Sequence, residues 1–174
     1  LPAMLNELSV NIEELLQENN NEGSVSDLIP LTNGASNETW KFTYVTNNIT
    51  KKMILKMGPD APPGLALPKS QEAAIQKAVF QAQGPAPEVL AISSDTSVLK
   101  NAYIMELIEG ESIPRKVLRD DIFKDIRDSL AFQCGEAIAQ IHRVSLESLQ
   151  WMKQKDVNDE FDELYSTYRK FNCP

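Results

Sequence analysis

Residues 40–57 read WKFTYVTNNITKKMILKM, and this stretch decides the fold that we predict. Trp40, Phe42 and Tyr44 alternate with more polar residues, which is the period of a strand that buries one face. The two asparagines at 47–48 are a turn signal, and a second apolar run follows at 53–57. The stretch therefore predicts two antiparallel strands joined by a short turn.

The segments on both sides of this hairpin add helices and further strands. Apolar residues at helical spacing predict an amphipathic helix over about residues 3–19, and a second helix, which Ser70 can cap, is expected over 70–82. The other predicted elements are strands at 28–32, 89–92 and 102–108, a long helix over about 120–143 and a last helix marked by Phe161, Leu164, Tyr165 and Tyr168. Five strands with one helix inserted between the third and fourth resemble a protein-kinase small lobe, so we predict an α+β fold of that type.

This order divides the chain into three predicted parts. They are an N-terminal amphipathic helix (1–22), a kinase-like small lobe with a five-stranded antiparallel sheet (23–109), and a hinge with the first helices of a larger lobe (110–174). In the third part, the long helix is expected to bury one apolar face. That face consists of Leu130, Cys134, Ala137, Ile138 and Ile141.

Charge and composition exclude several classes of partner. The chain has 174 residues and a formal net charge of −8. Such a surface repels nucleic acid and anionic membranes, so neither is expected as a partner. Cys134 and Cys173 are two lone thiols that form neither a metal-ligand spacing nor a disulfide framework, which predicts a reducing cytoplasm. His142 belongs to no catalytic or metal-ligand set and is interpreted as a packing or capping residue near a helix end.

Lys56, at the end of the third strand, is a candidate binding residue. It shares a face with Ile54, and a lysine in an apolar strand is costly unless its ammonium has a partner. Glu72, at the edge of the apolar face of the next helix, is the candidate partner. A strand lysine paired with a helix glutamate can present an ammonium to nucleotide phosphates. Taken alone, burial statistics favour the alternative, in which Lys56 reaches solvent and Glu72 is a surface residue.

Two other segments are candidate ligand contacts. The loop Asn33-Gly34-Ala35-Ser36-Asn37 joins the first two strands, and its successive amides can form an anion-binding nest or an ordinary hairpin loop. Residues 103–110 run from a strand into a glycine. If the chain crosses from a small lobe to a larger one at this point, the C=O of Glu106 and the N–H of Ile108 are free to bond an adenine edge. A core strand followed by a turn is equally consistent with the composition.

Six segments together resemble the aminoglycoside phosphotransferase and choline kinase-like superfamily, in particular bacterial proteins called simply phosphotransferase family protein. The segments are LTNGASNETWKFTY (31–44), MILKM (53–57), QEAAIQKA (71–78), PAPEVLAISSD (85–95), YIMELIEGESIPRKVLRDD (103–121) and QCGEAIAQIHRV (133–144). Their order and spacing agree over nearly the whole chain, which favours the functional interpretation of Lys56 and Glu72.

The resemblance implies an ATP-dependent phosphotransferase that acts on a hydroxyl of a small molecule, with ATP and Mg²⁺ as cofactors. Lys56 would hold the phosphates and Glu72 would orient Lys56. The loop with Asn33, Gly34 and Ser36 would cover the phosphates, with Ser36 nearest to the nucleotide.

The resemblance also implies an adenine pocket between the lobes. Glu106 and Ile108 would hold the base through their backbone groups. Met105 would lie at the back of this pocket and Ile54 in its roof.

One departure from the family limits these implications. The family's catalytic Asp lies in a His-Gly-Asp loop, and a later Asp binds magnesium, but His142 is followed by Arg143 and Val144. We therefore expect this chain to be the nucleotide-binding part of a longer enzyme, inactive by itself, with the magnesium ligands and the acceptor site in the missing half. Self-association is expected through the surface that a large lobe would cover. The alternative is a non-catalytic binding or regulatory module built from a kinase-like lobe.

Overall fold

The computed structural model describes residues 2–31, 38–59, 67–152 and 156–170. The chain forms two compact units, Leu1–Val144 and Ser145–Pro174. The first unit contains α1 (Pro2–Glu18), β1 (Ser24–Pro30), β2 (Glu38–Thr46), β3 (Ile49–Met57), α2 (Lys69–Gln81), β4 (Val89–Ile92), β5 (Ala102–Glu106), α3 (Pro114–Arg119), a 3₁₀ helix (Asp121–Ile126) and α4 (Arg127–His142). The second contains a 3₁₀ helix (Leu146–Leu149) and α5 (Val157–Lys170). No helix in the described ranges has the length and apolarity needed to cross a membrane.

The five strands form one antiparallel sheet in the order β1-β2-β3-β5-β4. Asn47 and Asn48, with φ of 47° and 63°, form the two-residue turn between β2 and β3. Positive φ at both central residues matches the twist of a tight hairpin, and asparagine tolerates this region better than most residues. The predicted kinase-like α+β fold is thus confirmed, with helix α2 inserted between the third and fourth strands.

A helix packs on each face of the sheet. On one face, Ile12, Leu15 and Leu16 of α1 are almost fully buried against Phe42 and Leu55. On the other face, α2 contributes Ala73 to a smaller cluster with Val89 and Tyr103. Side chains alternate along β3, so Leu55 belongs to the α1 face and Ile54 and Lys56 to the α2 face. This alternation places the predicted binding lysine beside α2.

Two local predictions about strand and helix starts are wrong. Strand β1 begins at Ser24, four residues before the predicted start, because it is an edge strand whose polar residues face solvent. Ser70 does not cap α2, since the helix begins at Lys69 and the residue at the cap position is Pro68, without a side-chain cap bond.

The long helix predicted over 120–143 is also corrected. The segment instead holds a 3₁₀ helix up to Ile126 and the α-helix α4 after it, and α3 precedes both. No residue of α4 is buried, and the predicted apolar face includes Ile138 at 52% and Ile141 at 41% exposure. The spacing identified which side chains share a face, but none of the described residues of the first unit buries that face.

Helix α5, in the second unit, confirms the predicted last helix. The rings of Phe161 and Tyr165 stack one turn apart, with centroids separated by 6.4 Å. Both side chains are exposed, as are Leu164 and Tyr168.

Candidate functional site

The register of the sheet determines the surroundings of Lys56. In β3, Lys56 lies between Thr39 of β2 and Tyr103 of β5. Its ammonium is 5.8 Å from the centre of the Tyr103 ring. The side chain is 27% exposed, so it is partly buried and still accessible to solvent.

The Glu72 carboxylate in the first turn of α2 receives three donors. Lys56 Nζ lies 2.8 Å from Oε1, and the Tyr103 hydroxyl donates to the same oxygen at 2.8 Å. Lys69 Nζ lies 2.5 Å from Oε2. The structure therefore brings the predicted pair together and adds two partners, Lys69 and Tyr103. We call Lys56, Lys69, Glu72 and Tyr103 the Glu72 cluster.

Asn101 fixes the start of α2, and with it Glu72. The Asn101 Oδ1 atom accepts the backbone N–H of Lys69 at 2.6 Å, and Nδ2 donates to the C=O of Pro59 at 2.6 Å. The C=O of Asn101 accepts the N–H of Gly58 at 3.0 Å. One residue in the β4–β5 connection thus ties the end of β3 to the beginning of α2.

The electrostatics of the Glu72 cluster leave a positive charge. Burial alone would raise the pKa of Glu72, but hydrogen bonds from Lys56, Lys69 and Tyr103 outweigh it and lower the pKa to about 2. Burial and the adjacent Glu72 carboxylate raise the pKa of Tyr103, so its phenol stays neutral. Two ammoniums share one carboxylate, which leaves one net positive charge in a chain of net charge −8.

The two lysines differ in access. The Lys69 side chain is only 7% exposed, whereas that of Lys56 is 27% exposed. Lys56 is therefore the more accessible of the two lysines, and Lys69 is the buried one.

The predicted adenine contacts lie next to this cluster. Ile54 is 5% exposed and pairs with Met105 across the β3–β5 ladder, two register steps from the Lys56–Tyr103 pair. The N–H of Glu106 donates to Glu88 at 2.9 Å. Within the described ranges, Ile108 follows the strand with its side chain 64% exposed and its N–H donating to no backbone carbonyl. The predicted loop residues Asn33, Gly34 and Ser36 lie outside the described residues.

Sequence reasoning missed Lys69, Tyr103 and Gln76 as members of this arrangement. Gln76 Nε2 donates to the Tyr103 hydroxyl at 2.8 Å, which orients the phenol toward Glu72. The spacing of Lys69 and Glu72, three residues apart on one helix, was a usable signal for their contact. Tyr103 offered none, because its position opposite Lys56 depends on the strand register.

Comparison with known proteins now identifies the family. The sequence profile of the phosphotransferase enzyme family (APH) matches residues 27–169, which is more than half of the chain. The chain belongs to the phosphotransferase enzyme family. The predicted membership of the aminoglycoside phosphotransferase and choline kinase-like superfamily is confirmed.

Two curated relatives match part of the sequence. Over 94 residues the chain is 36% identical to acyl-CoA dehydrogenase family member 11 of Pongo abelii and 34% identical to the protein of that name from Homo sapiens. The match covers 51% of this chain and 12% of each relative. The phosphotransferase chain thus matches only about an eighth of the length of these relatives.

The described part of the phosphotransferase chain offers no metal site. Within residues 2–31, 38–59, 67–152 and 156–170, no group of three or more His, Cys, Asp or Glu side chains is arranged to hold a metal ion. The donor set that is present, two ammoniums around one carboxylate, fits an anion.

Proposed function

We propose that this chain supplies the nucleotide phosphate site of an ATP-dependent phosphotransferase that acts on a hydroxyl of a small molecule. The observation that carries the proposal is the contact between Lys56 and Glu72, whose Nζ and Oε1 atoms are 2.8 Å apart. It joins the third strand of the sheet to the first turn of the inserted helix, and the Lys56 side chain remains partly exposed.

Phosphoryl transfer depends mainly on positioning and on charge neutralisation around the phosphates. An ammonium that a neighbouring carboxylate orients serves both purposes. The Glu72 carboxylate also pairs with Lys69, so it neutralises the charge of Lys56 only in part. Lys56 can therefore still attract a phosphate oxygen. The surrounding negative surface would otherwise repel ATP, so this local positive charge is required.

We propose that the adenine site lies two register steps away along the β3–β5 ladder. Ile54 would cover the base and Met105 would close the back of the pocket. The backbone C=O of Glu106 and the backbone N–H of Ile108 would bond the adenine edge. Because both are backbone groups, these contacts would not depend on the identity of either side chain. The loop with Asn33, Gly34 and Ser36 would cover the phosphates, with the Ser36 hydroxyl nearest to the nucleotide.

The magnesium ion and the acceptor need residues that we do not assign to the described chain. We propose that the Mg²⁺ ligands and the catalytic base lie in a lobe C-terminal to Pro174, where the acceptor would also bind. We place the protein in the cytoplasm on the cysteine usage given above.

The test is a calorimetric titration of the full-length protein with Mg²⁺ and ATP. We expect Lys56→Ala to weaken ATP affinity at least about tenfold, equivalent to about 1.4 kcal/mol, which is the net scale of a hydrogen bond to a charged group. Lys77→Ala is the matched control, because Lys77 lies on α2 with an exposed side chain. Equal affinity in the wild type and Lys56→Ala would reject the phosphate site. ATP binding without any phosphoryl transfer would favour a regulatory module.

A further inference from the structure

Lys69 is a buried charge that the proposed ATP contacts do not use. It is the one lysine in the described part of the chain that is buried, with 6% residue exposure. Burying an ammonium is costly unless it is paired and hydrogen-bonded. Its partner is Glu72, whose Oε2 atom is 2.5 Å from Lys69 Nζ. The surroundings of Lys69 must therefore compensate for the cost of burying its charge.

The position of Lys69 is fixed along its whole length. The backbone N–H donates to Asn101 Oδ1 at 2.6 Å. The stem packs on Gly58, where a β-carbon would come within 3.0 Å of Lys69 Cε. Both the backbone and the stem are therefore held by the segments that end β3 and begin β5. The ammonium has little freedom to leave Glu72.

We propose that Lys69 is a positioning residue for Lys56, an inference that rests on the proposed ATP site. Its ammonium binds Oε2 of Glu72 and stops the carboxylate from turning, so that Oε1 stays directed at Lys56. It also takes part of the carboxylate's charge, so that Lys56 remains able to attract a phosphate. At 7% side-chain exposure, Lys69 acts through Glu72 and does not touch the nucleotide.

A purely structural role for Lys69 makes a different prediction. If the Lys69–Glu72 pair only stabilised the start of α2, its loss would weaken ATP binding by the same factor whether or not Lys56 is present. If Lys69 acts through Lys56, its loss has no effect once Lys56 is gone. A double-mutant cycle separates these two cases.

The cycle uses Lys69→Met, Lys56→Met and the double variant in the full-length protein, with Lys77→Met as the control on the same helix. Methionine keeps most of the aliphatic stem and removes the charge. We expect Lys69→Met to weaken Mg²⁺–ATP affinity about tenfold, and Lys56→Met to weaken it further, as expected for the loss of charged contacts. The double variant should bind no more weakly than Lys56→Met alone. Lys77→Met should bind like the wild type.

Two results overturn the inference while leaving the ATP site intact. One is equal affinity in the wild type and Lys69→Met, and the other is losses that multiply fully in the double variant. A wild-type protein that binds no ATP refutes the proposed function, and the inference with it. If Lys69→Met does not fold, as shown by its thermal melting curve, Lys69→Gln takes its place with the same expectations.

A second measurement needs no nucleotide. The groups that face Glu72 are Lys56 from β3, Lys69 from α2 and Tyr103 from β5. The carbon-13 shift of the Glu72 carboxyl should report a higher titration midpoint in Lys69→Met than in the wild type, and an unchanged midpoint in Lys77→Met. An unchanged midpoint in Lys69→Met would show that Lys69 does not act on this carboxylate.

Discussion

Glu72 links the stability of the fold to pH. Its pKa is lowered from 4.5 to about 2 by donors that outweigh the cost of its burial. Between these two values the folded protein keeps the carboxylate charged, while the unfolded chain takes up a proton. The stabilising contribution of Glu72 is therefore fully present above about pH 4.5 and is lost as the pH falls toward 2.

This pH dependence predicts a measurable difference in stability between the wild type and Glu72→Gln. The free energy of unfolding, from urea titrations between about pH 6 and about pH 3, should fall more steeply with decreasing pH in the wild type. The matched control is Glu7→Gln, because Glu7 is exposed on α1. Parallel pH profiles for the wild type and Glu72→Gln would contradict the assignment of the three donors.

Gly58 allows the close packing behind the Glu72 cluster. A β-carbon at this position would lie 2.8 Å from Asn101 Nδ2 and 3.0 Å from Lys69 Cε. Neither side chain can move freely, because Asn101 is bonded on both sides and Lys69 is paired with Glu72. We expect Gly58→Ala to lower the free energy of unfolding by about 1–3 kcal/mol through overpacking.

The measurement for Gly58→Ala is chemical denaturation, with Gly110→Ala as its control. Gly110 has no atom within 4 Å of the position that a β-carbon would take. The control should change stability by less than about 0.5 kcal/mol, as is usual for surface substitutions. An equal effect of both substitutions would indicate that packing around Gly58 is looser than described.

At the scale of elements, the residues that follow α1 cover the exposed edge of the sheet. Strand β4 lies at one edge of the sheet. The Asn19 side chain forms hydrogen bonds with the β4 backbone, as a neighbouring strand would. Asn19 Nδ2 donates to the C=O of Ile92, and the N–H of Ile92 donates to Asn19 Oδ1, both at 3.2 Å. Asn21 Nδ2 donates to Leu90 in the same way at 3.0 Å. These amides protect an edge that could otherwise pair with another chain.

Asn19→Ala should therefore lower the free energy of unfolding by about 1–3 kcal/mol, because it leaves two backbone groups of β4 without their partner. Asn6→Ala, at an exposed position of α1, is the control, and it should be neutral or slightly stabilising because alanine has the higher helix propensity. Urea denaturation of both variants measures the difference. A loss of the same size in Asn6→Ala would assign the effect to the helix instead of the strand edge.

The elements also show what the sequence could and could not predict. Period-two alternation placed Ile54 and Lys56 on one face of β3, and the structure agrees. For α4, helical spacing grouped Ile138 with Ile141, but spacing carries no information on what covers a face. The Ser70 cap failed for a similar reason, since the exact first residue of α2 depends on the bond from Asn101 to Lys69, which is distant in sequence.

The same distinction applies to the candidate site. The pattern of each element marked Lys56 and Glu72 as a candidate pair, but burial statistics alone favoured two solvent-facing side chains, and the family resemblance was needed to favour the pairing. Tyr103 looks like an ordinary apolar strand residue, and it faces Lys56 only because β5 lies beside β3. The local pattern therefore identified the candidate pair, whereas the contact from Tyr103 depends on the strand order of the sheet.

Across the whole molecule, exposed apolar side chains contrast with a net charge of −8. In the first unit, large exposed apolar residues concentrate after β5. They include Ile108 (64%), Leu118 (63%), Ile122 (84%), Phe132 (69%), Ile138 (52%) and Ile141 (41%). Soluble monomers rarely leave large contiguous apolar patches in contact with water. We propose that in this chain, without a large lobe to cover it, the α4 face that contains Ile138 and Ile141 is covered by a second copy.

This proposal predicts concentration-dependent self-association in analytical ultracentrifugation. Like charges oppose the contact, so association should strengthen as salt screens them, with a Debye length of about 10 Å at 0.1 M ionic strength. Replacing Ile138 and Ile141 together by glutamate should yield a monomer at every salt concentration, because it places new charges in the contact. Ile49→Glu, at a residue that is 56% exposed in the β2–β3 hairpin, should associate like the wild type. A wild-type chain that stays monomeric at high salt and high concentration would show that no second copy binds this face.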